Sequence, residues 1–355
     1  MNKTIISISG FGYSGSGAVK DLLSEFDEIS IPSSFEFQIL YFPDGISDLD
    51  YHLNISFSRF YDSDLAINRF LNLCKKMDVD YESTFHGHLY EIAYRYIKKI
   101  TSLEWYSYWT YDRLGIPLSH YKEIERINNK IYKKNYIISQ CNRILRKIKF
   151  PLISYISYKE LFKKRRMFLA IRPANFIKET KSFINELLSY VENDKPFVVY
   201  DQFLPPNNSS YFYKYFENIK SIVVLRDPRD TWIFSKLKKI SFIPHTDVND
   251  FIIWYRENNK KEAQLSNDGV LIIHFEDIIY DYEVTLNKIV NYLGISNHTR
   301  KMELFSPDIS INNTQLYLKY PQYIDEVNII EKQLSEYLYD YDKYTLKPKF
   351  NINIF

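Results

Sequence analysis

The run TIISISGFGYSGSG, residues 4–17, decides the fold of this 355-residue chain. Its first part, about Thr4–Ser9, is apolar and β-branched with little alternation, which is typical of a central parallel strand. Four of the nine glycines in the whole sequence follow within eight residues. An amphipathic helix is expected next, over about Ser16–Glu25. Strand, glycine-rich loop and helix together predict an anion-binding turn.

Glycines allow a backbone φ above zero and let an anion approach the amide groups closely. Amides of the loop and the N-terminus of the helix then present donors and the positive end of a dipole to phosphate. The alternative is a tight strand-to-helix turn that binds nothing. We expect nucleotide phosphate to bind here, through Gly12, Tyr13, Ser14, Gly15, Ser16, Gly17 and Ala18.

Two familiar phosphate loops fit this stretch only in part. Gly10 and Gly15 have the spacing of the kinase P-loop, but Ser16 stands where that loop has lysine. Gly10, Gly12 and Gly15 also match the dinucleotide fingerprint. That fingerprint needs an acidic residue at the end of the second strand, and the first acid there, Glu36, comes too late.

The rest of the chain predicts an α/β fold, a central mostly parallel sheet flanked by helices, P-loop-like, with a large helical insertion. We expect a single domain with a core at 1–46 and 194–355 and a helical insertion at 47–193. This insertion is expected to form the lobe that binds the second substrate, the acceptor. Further strands are predicted at Ile29–Ile31, Phe197–Tyr200, Ser221–Leu225 and Val270–Phe275, and further helices at Asp247–Leu265, Glu283–Leu293 and Glu326–Tyr339.

Composition adds three expectations. Residues 122–181 hold 17 Lys and Arg against four Glu, which favours an anionic partner such as a nucleotide, acidic glycan, nucleic acid or membrane surface, or else a solvated helical face. Cys74 and Cys141 are too few for a disulfide framework or a zinc site. The sequence shows neither a secretory signal nor an 18-residue apolar run, so a cytoplasmic protein is expected. No metal cofactor is expected either.

Four segments resemble the PAPS-dependent sulfotransferase family, in the family's order. Gly12–Ser16 resembles its 5′-phosphosulfate loop, and Ser221–Asp230 resembles its 3′-phosphate segment, a strand followed by Arg-[Asn/Asp]-Pro-x-Asp. Ile273–Ile278 resembles its later strand with a Glu-Asp end, and Phe305–Asn313 its C-terminal cofactor loop. These pieces lie in the first 40 and the last 160 residues, and the middle matches nothing.

The resemblance implies a divergent member of that fold, transfer of a sulfuryl group from PAPS to a hydroxyl, and PAP as product. It places Arg226 on the 3′-phosphate, with Asn313 as a further cofactor contact. A guanidinium at the carboxyl end of a parallel strand suits bidentate phosphate binding, although a surface ion pair with a nearby aspartate is the alternative. Phe234 stands where the family has a serine, so Ser235, one residue later, is the predicted contact.

Tyr13 departs from the family, which usually has Lys or Arg at this position. Loss of that cation is costly, because electrostatic stabilisation of developing charge is usually the largest catalytic contribution. Either the Tyr13 hydroxyl donates instead, or a basic residue of the insertion replaces it, or the protein is slow or inactive. Lys20 is expected to point elsewhere.

Sulfuryl transfer to a hydroxyl needs a base for the acceptor proton, as phosphoryl transfer does. Glu36, after the second strand, is the first candidate, and Asp201, at the end of Phe197–Tyr200, is the second. A solvated loop glutamate and a loop cap are the respective alternatives. His86 and His88 come third.

The acceptor is expected to be a glycan or glycolipid, with peripheral membrane contact through the basic insertion as a further option and no nucleic acid partner. Two other functions stay open. One is a P-loop kinase or related phosphotransferase, and the other is a catalytically silent protein that binds a nucleotide or polysaccharide.

Overall fold

A computed structural model describes residues 3–32, 36–109, 118–148, 164–190, 194–259, 269–296 and 298–349. The chain divides into two compact units. The first comprises Met1–Tyr51, Arg69–Ile100 and Ala174–Phe355, and the second comprises His52–Asn68 and Thr101–Pro173. This division differs from the expected insertion at 47–193, because the segments 47–51, 69–100 and 174–193 belong to the first unit.

The first unit is built on a five-stranded parallel sheet, as predicted. Its strands in spatial order are β2, β5, β1, β6 and β7. The strands of the chain are β1 (Thr4–Gly10), β2 (Ile29–Ser30), β3 (Leu103–Ser107), β4 (Arg165–Leu169), β5 (Phe197–Asp201), β6 (Ile219–Leu225) and β7 (Val270–His274).

The central strand β1 is buried along its whole length, which agrees with a sequence that carries no charged residue and has isoleucine at three of its seven positions. Ile8 pairs with Asp201 of β5, and Gly10 pairs with Val224 of β6. The carboxyl ends of these three neighbouring strands therefore lie at one edge of the sheet. In open parallel sheets this edge is where ligands bind.

Helices make up most of the remaining described structure of the two units. They are α1 (Ser16–Leu23), α2 (Ile46–Asp50), α3 (Phe60–Asp80), α4 (Glu82–Phe85), α5 (Leu89–Ile100), α6 (Leu118–Lys147), α7 (Phe176–Ser189), α8 (Pro228–Lys238), α9 (Val248–Asn258), α10 (Asp277–Tyr280), α11 (Tyr282–Leu293), α12 (Pro307–Ser310), α13 (Leu316–Lys319) and α14 (Ile324–Gln333).

Two predicted helices need correction. The expected helix Asp247–Leu265 begins at Val248, capped by the Asp247 side chain, and ends at Asn258; positions 260–268 lie outside the described residues. The expected helix Glu326–Tyr339 ends at Gln333. Its backbone turns there because Leu334 packs into the core and the Tyr339 N–H donates to Asp227 at 2.9 Å.

One buried carboxylate joins the end of α1 to a late loop of the chain. Glu25 accepts hydrogen bonds from the N–H groups of Met302, Leu304 and Phe305 and from Nε2 of His298, at 2.7–3.1 Å. Burial alone would raise the pKa of Glu25, but these four donors outweigh burial and lower it. The loop that leads to Asn313 is thereby anchored to the helix after the glycine-rich loop.

The second unit is not purely helical, since it contains the antiparallel pair β3 and β4 as well as the long helix α6. Its centre is Asp64, which is fully buried and accepts two bonds from the Arg165 guanidinium, at 2.6 and 3.0 Å. Arg166 pairs with Glu104 at 2.9 Å. Part of the basic block is thus neutralised inside this unit.

Among the helices that the structure describes, none combines the length and apolar character that crossing a bilayer demands.

Candidate nucleotide site

The glycine-rich loop follows β1 and has a left-handed backbone at three positions. The φ angles are 88° at Gly12, 53° at Tyr13 and 96° at Gly15. This region of conformational space is open to glycine and costs energy at Tyr13. Gly15 then caps the N-terminus of α1. This backbone conformation places a run of amide groups at the edge of the sheet.

The N–H groups from Gly12 to Gly17 are not donors in any hydrogen bond within the described part of the chain. Their neighbours are satisfied: the N–H of Gly10 donates to the side chain of Gln202, and that of Ala18 to the carbonyl of Gly15. Six consecutive donors without an internal acceptor, at a helix N-terminus, form a site for an anion with several oxygens.

Packing explains which glycines the loop needs. A Cβ on Gly15 would lie 2.4 Å from a ring carbon of Phe275, and one on Gly10 would lie 1.8 Å from Oγ of Ser14. A Cβ on Gly17 would meet nothing within 4 Å. The hydroxyl of Ser14 is buried and has no hydrogen-bond partner in the described chain, so it too is left for a ligand.

Arg226 follows β6 directly and connects the loop to the C-terminal segment. Its Nη1 donates to the carbonyl of Tyr13 at 2.9 Å, and its Nη2 donates to the carbonyl of Asn313 at 2.7 Å. The residue is only 7% exposed, and within the described chain its Nε and the Asn313 Oδ1 are both buried without partners. The structure brings together the glycine-rich loop, Arg226 and Asn313, as expected from the sequence.

The aspartates near Arg226 are occupied elsewhere. Asp227 binds the guanidinium of Arg229 at 2.7 Å, and Asp230 accepts the N–H groups of Gln315 and Leu316. Among the described residues, Arg226 therefore does not form the surface ion pair with a nearby aspartate that was its alternative role.

A buried acidic cluster lies beneath Arg226. Glu276 accepts the N–H of Asp227 at 3.0 Å, and the Tyr255 hydroxyl donates to the carbonyl of Arg226 at 2.9 Å. Burial, followed by the charge of Asp227, raises the pKa of Glu276 to about 8. A neutral Glu276 at pH 7 limits the repulsion within this cluster.

Tyr13 belongs to an aromatic group beside the loop. Its ring lies 5.8 Å from that of Phe242, nearly parallel to it, and 5.1 Å from that of Phe234. Tyr13 is 45% exposed and Phe242 is 56% exposed. Tyr13, where the family that the sequence resembles usually has Lys or Arg, is thus part of an exposed aromatic surface.

Ser235 needs correction as a cofactor contact. It is fully buried, and its hydroxyl donates to the carbonyl of Trp232 within α8 at 2.7 Å. The preceding residue, Phe234, faces the site instead, with the Arg226 guanidinium 5.4 Å from its ring centre. No shift of the helix start brings Ser235 around, because Asp227 caps α8 in the usual way by accepting the Arg229 N–H.

The two candidate bases lie close together. Asp201 ends β5, and its carbonyl accepts the N–H of Phe37, the neighbour of Glu36, at 3.3 Å. Burial raises the pKa of both carboxyls, and the charge of Asp201 raises that of Glu36 further. Glu36 accepts a bond from Gln38 at 2.7 Å, whereas Oδ1 of Asp201 is buried without a partner among the described residues.

Lys20 is four residues after Ser16, so the two share one face of α1. Its positive charge favours the ionised forms of Glu36 and Asp201, although burial raises the pKa of both carboxyls overall. That the Lys20 side chain points away from Tyr13 stays a prediction. Ser16 lies at the carboxyl end of β5, 3.4 Å from the side chain of Gln202.

His86 and His88 lie at the turn between α4 and α5. His88 Nδ1 is 3.6 Å from Glu91, and both histidines are exposed. No contact of the described residues connects either histidine to the glycine-rich loop. Within the same residues, no group of three or more metal-ligating side chains occurs.

The solved structures similar to this chain include two sulfotransferase domains. The sulfotransferase domain of the Synechococcus PCC 7002 olefin synthase has 11% identity and a TM-score of 0.34, over 86% of this chain and 78% of that one. The sulfotransferase domain from the curacin biosynthetic pathway has 12% identity and a TM-score of 0.36, over 96% and 99%. Both are sulfotransferase domains.

Their names are those of the family that the sequence motifs resemble, but TM-scores this low carry no argument about this chain. The predicted fold class is confirmed by the parallel sheet itself. At such TM-scores, no residue role is transferred from either structure. The sequence itself matches no family model and no curated protein.

Proposed function

We propose that this chain is a sulfotransferase that moves a sulfuryl group from PAPS to a hydroxyl group. The observation that carries the proposal is the row of six N–H donors from Gly12 to Gly17, joined by Arg226 to the segment of Asn313. Such a surface fits a nucleotide with phosphate on both the 5′ and the 3′ oxygen of its ribose, because amide donors and a guanidinium lie on the same edge of the sheet.

The residues present fit PAPS. The amides of Gly12–Gly17 and the free hydroxyl of Ser14 would hold the phosphosulfate, and Arg226 with Asn313 would hold the 3′-phosphate. When bound, PAPS supplies a sulfuryl group on a phosphate that leaves as PAP. The amides stabilise charge on the oxygens they contact, and they are already oriented before any ligand arrives.

The base is Glu36 or Asp201. Burial raises the pKa of both carboxyls, which improves their strength as bases near neutral pH. Of the two, Asp201 has an oxygen without a partner in the described chain, whereas Glu36 is the more exposed. Either carboxylate would take the proton from the acceptor hydroxyl.

The first test is binding. In thermal denaturation and calorimetric titration, PAP should stabilise the protein, by about 2.7 kcal/mol at a hundred times its dissociation constant, and ATP with Mg²⁺ should not. Equal stabilisation by Mg²⁺-ATP would favour the hypothesis that the protein is a phosphotransferase. ³⁵S transfer from PAPS into a panel of glycans, glycolipids and small alcohols then tests turnover.

A silent nucleotide-binding protein is the second candidate, favoured by the aromatic surface at Tyr13. It predicts tight PAP binding without ³⁵S transfer to any acceptor and without PAPS hydrolysis.

For the acceptor we propose a glycan or glycolipid, supported by the placement of Glu36 after the second strand and by the basic residues of 122–181. Peripheral contact with an anionic membrane through those same residues would bring a glycolipid within reach, and the protein would act in the cytoplasm. Glycolipid presented in vesicles with and without phosphatidylserine tests both points.

A further inference from the structure

The short segment 313–316 is the part of the candidate site that Arg226 holds from one side. Arg226 donates to the carbonyl of Asn313, and two residues later Gln315 has a left-handed backbone, with a φ of 48°. Such a conformation costs energy at a residue other than glycine, and it persists only where neighbouring groups hold it. Whatever holds Gln315 in this conformation also fixes where Asn313 lies.

Asp230 of α8 is a group that holds this segment. One oxygen of its carboxylate accepts the N–H of Gln315 at 2.9 Å, and the other accepts the N–H of Leu316 at 2.7 Å. Asp230 is fully buried, so its charge depends on hydrogen-bond donors. It lies four residues after Arg226, and the two side chains therefore hold the same segment from one stretch of the chain.

A third donor to Asp230 comes from a later part of the chain. The Tyr341 hydroxyl donates to Oδ2 of Asp230 at 2.7 Å and lies 3.3 Å from Oε1 of Glu276. The Tyr341 side chain is itself buried. Two residues earlier, the Tyr339 N–H donates to Asp227. The two tyrosines thus bind both the aspartate that caps α8 and the aspartate in its first turn.

A second route holds the same segment more loosely. Tyr344 packs on Tyr280, with ring centres 5.1 Å apart. The Tyr280 hydroxyl forms a hydrogen bond with Oγ1 of Thr314 at 2.7 Å and accepts one from Nε2 of Gln315 at 2.9 Å, while Nζ of Lys347 lies 3.4 Å from Oε1 of Gln315. Loss of one donor should therefore loosen the segment without releasing it.

We propose that Tyr341 is a positioning residue of the nucleotide site, which sets the affinity for the 3′-phosphate by holding Asp230 and, through it, the carbonyl of Asn313 against Arg226. This inference rests on the proposed function, in which Arg226 binds that phosphate. The Tyr341 hydroxyl is taken up by Asp230 and acts on the nucleotide only through that carboxylate.

Tyr341→Phe removes the hydroxyl and keeps the buried ring. In calorimetric titration, PAP should bind the variant roughly fivefold to tenfold more weakly, because Arg226 remains but the segment it holds is less well fixed. The affinity for 5′-AMP, which is PAP without the 3′-phosphate, should stay the same, because that ligand uses the loop amides. A variant that is merely less stable would not separate the two nucleotides.

Tyr215→Phe is the matched control, because it removes a buried tyrosine hydroxyl from a different aspartate, Asp50 of α2. It should bind both nucleotides like wild type. If Tyr341→Phe does not fold, Asp230→Asn replaces it. Asp230→Asn weakens the acceptor that Tyr341 acts through, and it should show the same selective loss of PAP affinity.

Hydrogen exchange of the Gln315 and Leu316 amides tests the same coupling without any ligand. Both N–H groups donate to Asp230, so their exchange should be faster in Tyr341→Phe and unchanged in Tyr215→Phe.

The two levels of the proposal fail differently. If wild type prefers PAP to 5′-AMP, and Tyr341→Phe keeps that preference and the wild-type exchange rates, the role of Tyr341 is overturned and the proposed function stands. An equal loss of affinity for both nucleotides also overturns that role. If wild type shows no preference but the exchange is faster in Tyr341→Phe, the coupling of Tyr341 to the segment stands and the proposal of PAPS as donor falls.

Discussion

Arg226 donates a hydrogen bond from Nη1 to the backbone carbonyl of Tyr13 at 2.9 Å. The two residues are 213 positions apart, and the second donor of the same guanidinium reaches Asn313, a further 87 positions along. One side chain thus fixes the relative positions of the glycine-rich loop and the C-terminal segment. Any nucleotide bound to the loop amides would lie against this guanidinium.

Arg226→Ala should weaken PAP binding by about 1.5–3 kcal/mol, the scale of a hydrogen bond to a charged group. Arg226→Lys should recover only part of this, since an ammonium cannot reproduce the planar fork. Calorimetric titration with PAP measures both. Arg126→Ala, at an exposed site on α6, is the matched control and should bind PAP like wild type. Unchanged affinity in a folded Arg226→Ala protein would make Arg226 purely structural.

Glu36→Gln and Asp201→Asn should separate the two candidate bases. Replacement of the true base keeps the shape and PAP affinity and lowers kcat by about 10²–10⁴-fold, because only the proton transfer is lost. Steady-state ³⁵S transfer and PAP titration of both variants decide between them. A loss below about tenfold in both variants would move the base outside this pair, and His86 and His88 would be tested next.

Gly15→Ala and Gly17→Ala should have opposite effects on stability. Gly15 has a φ of 96° and no room for a Cβ, so alanine there should destabilise the protein by roughly 1–3 kcal/mol. Gly17 is helical and faces open space, so alanine there should be neutral or stabilise by up to about 1 kcal/mol. Urea unfolding without ligand measures both. Equal stability of the two variants would contradict the loop conformation.

Glu25→Gln should lower the free energy of unfolding at pH 7 by about 1.5–3 kcal/mol, the value of a charged hydrogen bond. Because the folded pKa of Glu25 is lowered, its contribution is present above the ordinary pKa of 4.5 and is lost as pH falls through the folded value. Urea unfolding of wild type and variant from pH 7 to pH 3 should therefore converge at the acid end.

Glu283→Gln is the control for this series. Glu283 pairs with Lys301 at 2.7 Å, but their side chains are 64% and 49% exposed. Such a surface pair contributes about 0–1 kcal/mol, so the variant should differ little from wild type at any pH. A difference between wild type and Glu25→Gln that does not depend on pH would mean that Glu25 acts through packing alone.

Local patterns in the sequence were enough to predict all five strands of the parallel sheet, because each strand contains a short apolar run. They were also enough to bring Arg226 to the glycine-rich loop, since both follow strands at one edge. The contact predicted for Ser235 is not found, because the residue eight positions after Arg226 is the one that faces the site. In this chain that residue is Phe234.

The helix predicted over Glu326–Tyr339 failed for a similar reason. The sequence favours helix throughout, but Leu334 and Tyr339 have partners in the core that a straight helix cannot reach. The boundaries of the insertion also depend on tertiary contacts, which the sequence pattern does not show. Helices α5 and α7 lie within the expected insertion, but they pack against each other in the first unit.

The pairing of β1 with β5 and β6 has a consequence for synthesis of the protein. Thr4–Gly10 leaves the ribosome long before its partners, which begin at Phe197 and Ile219. At about 5–20 residues per second, this strand waits roughly 10–40 s for its neighbours. The glycine-rich loop waits longer still, because Asn313 follows both of those strands along the chain. The candidate site is therefore complete only after most of the described chain has been synthesised.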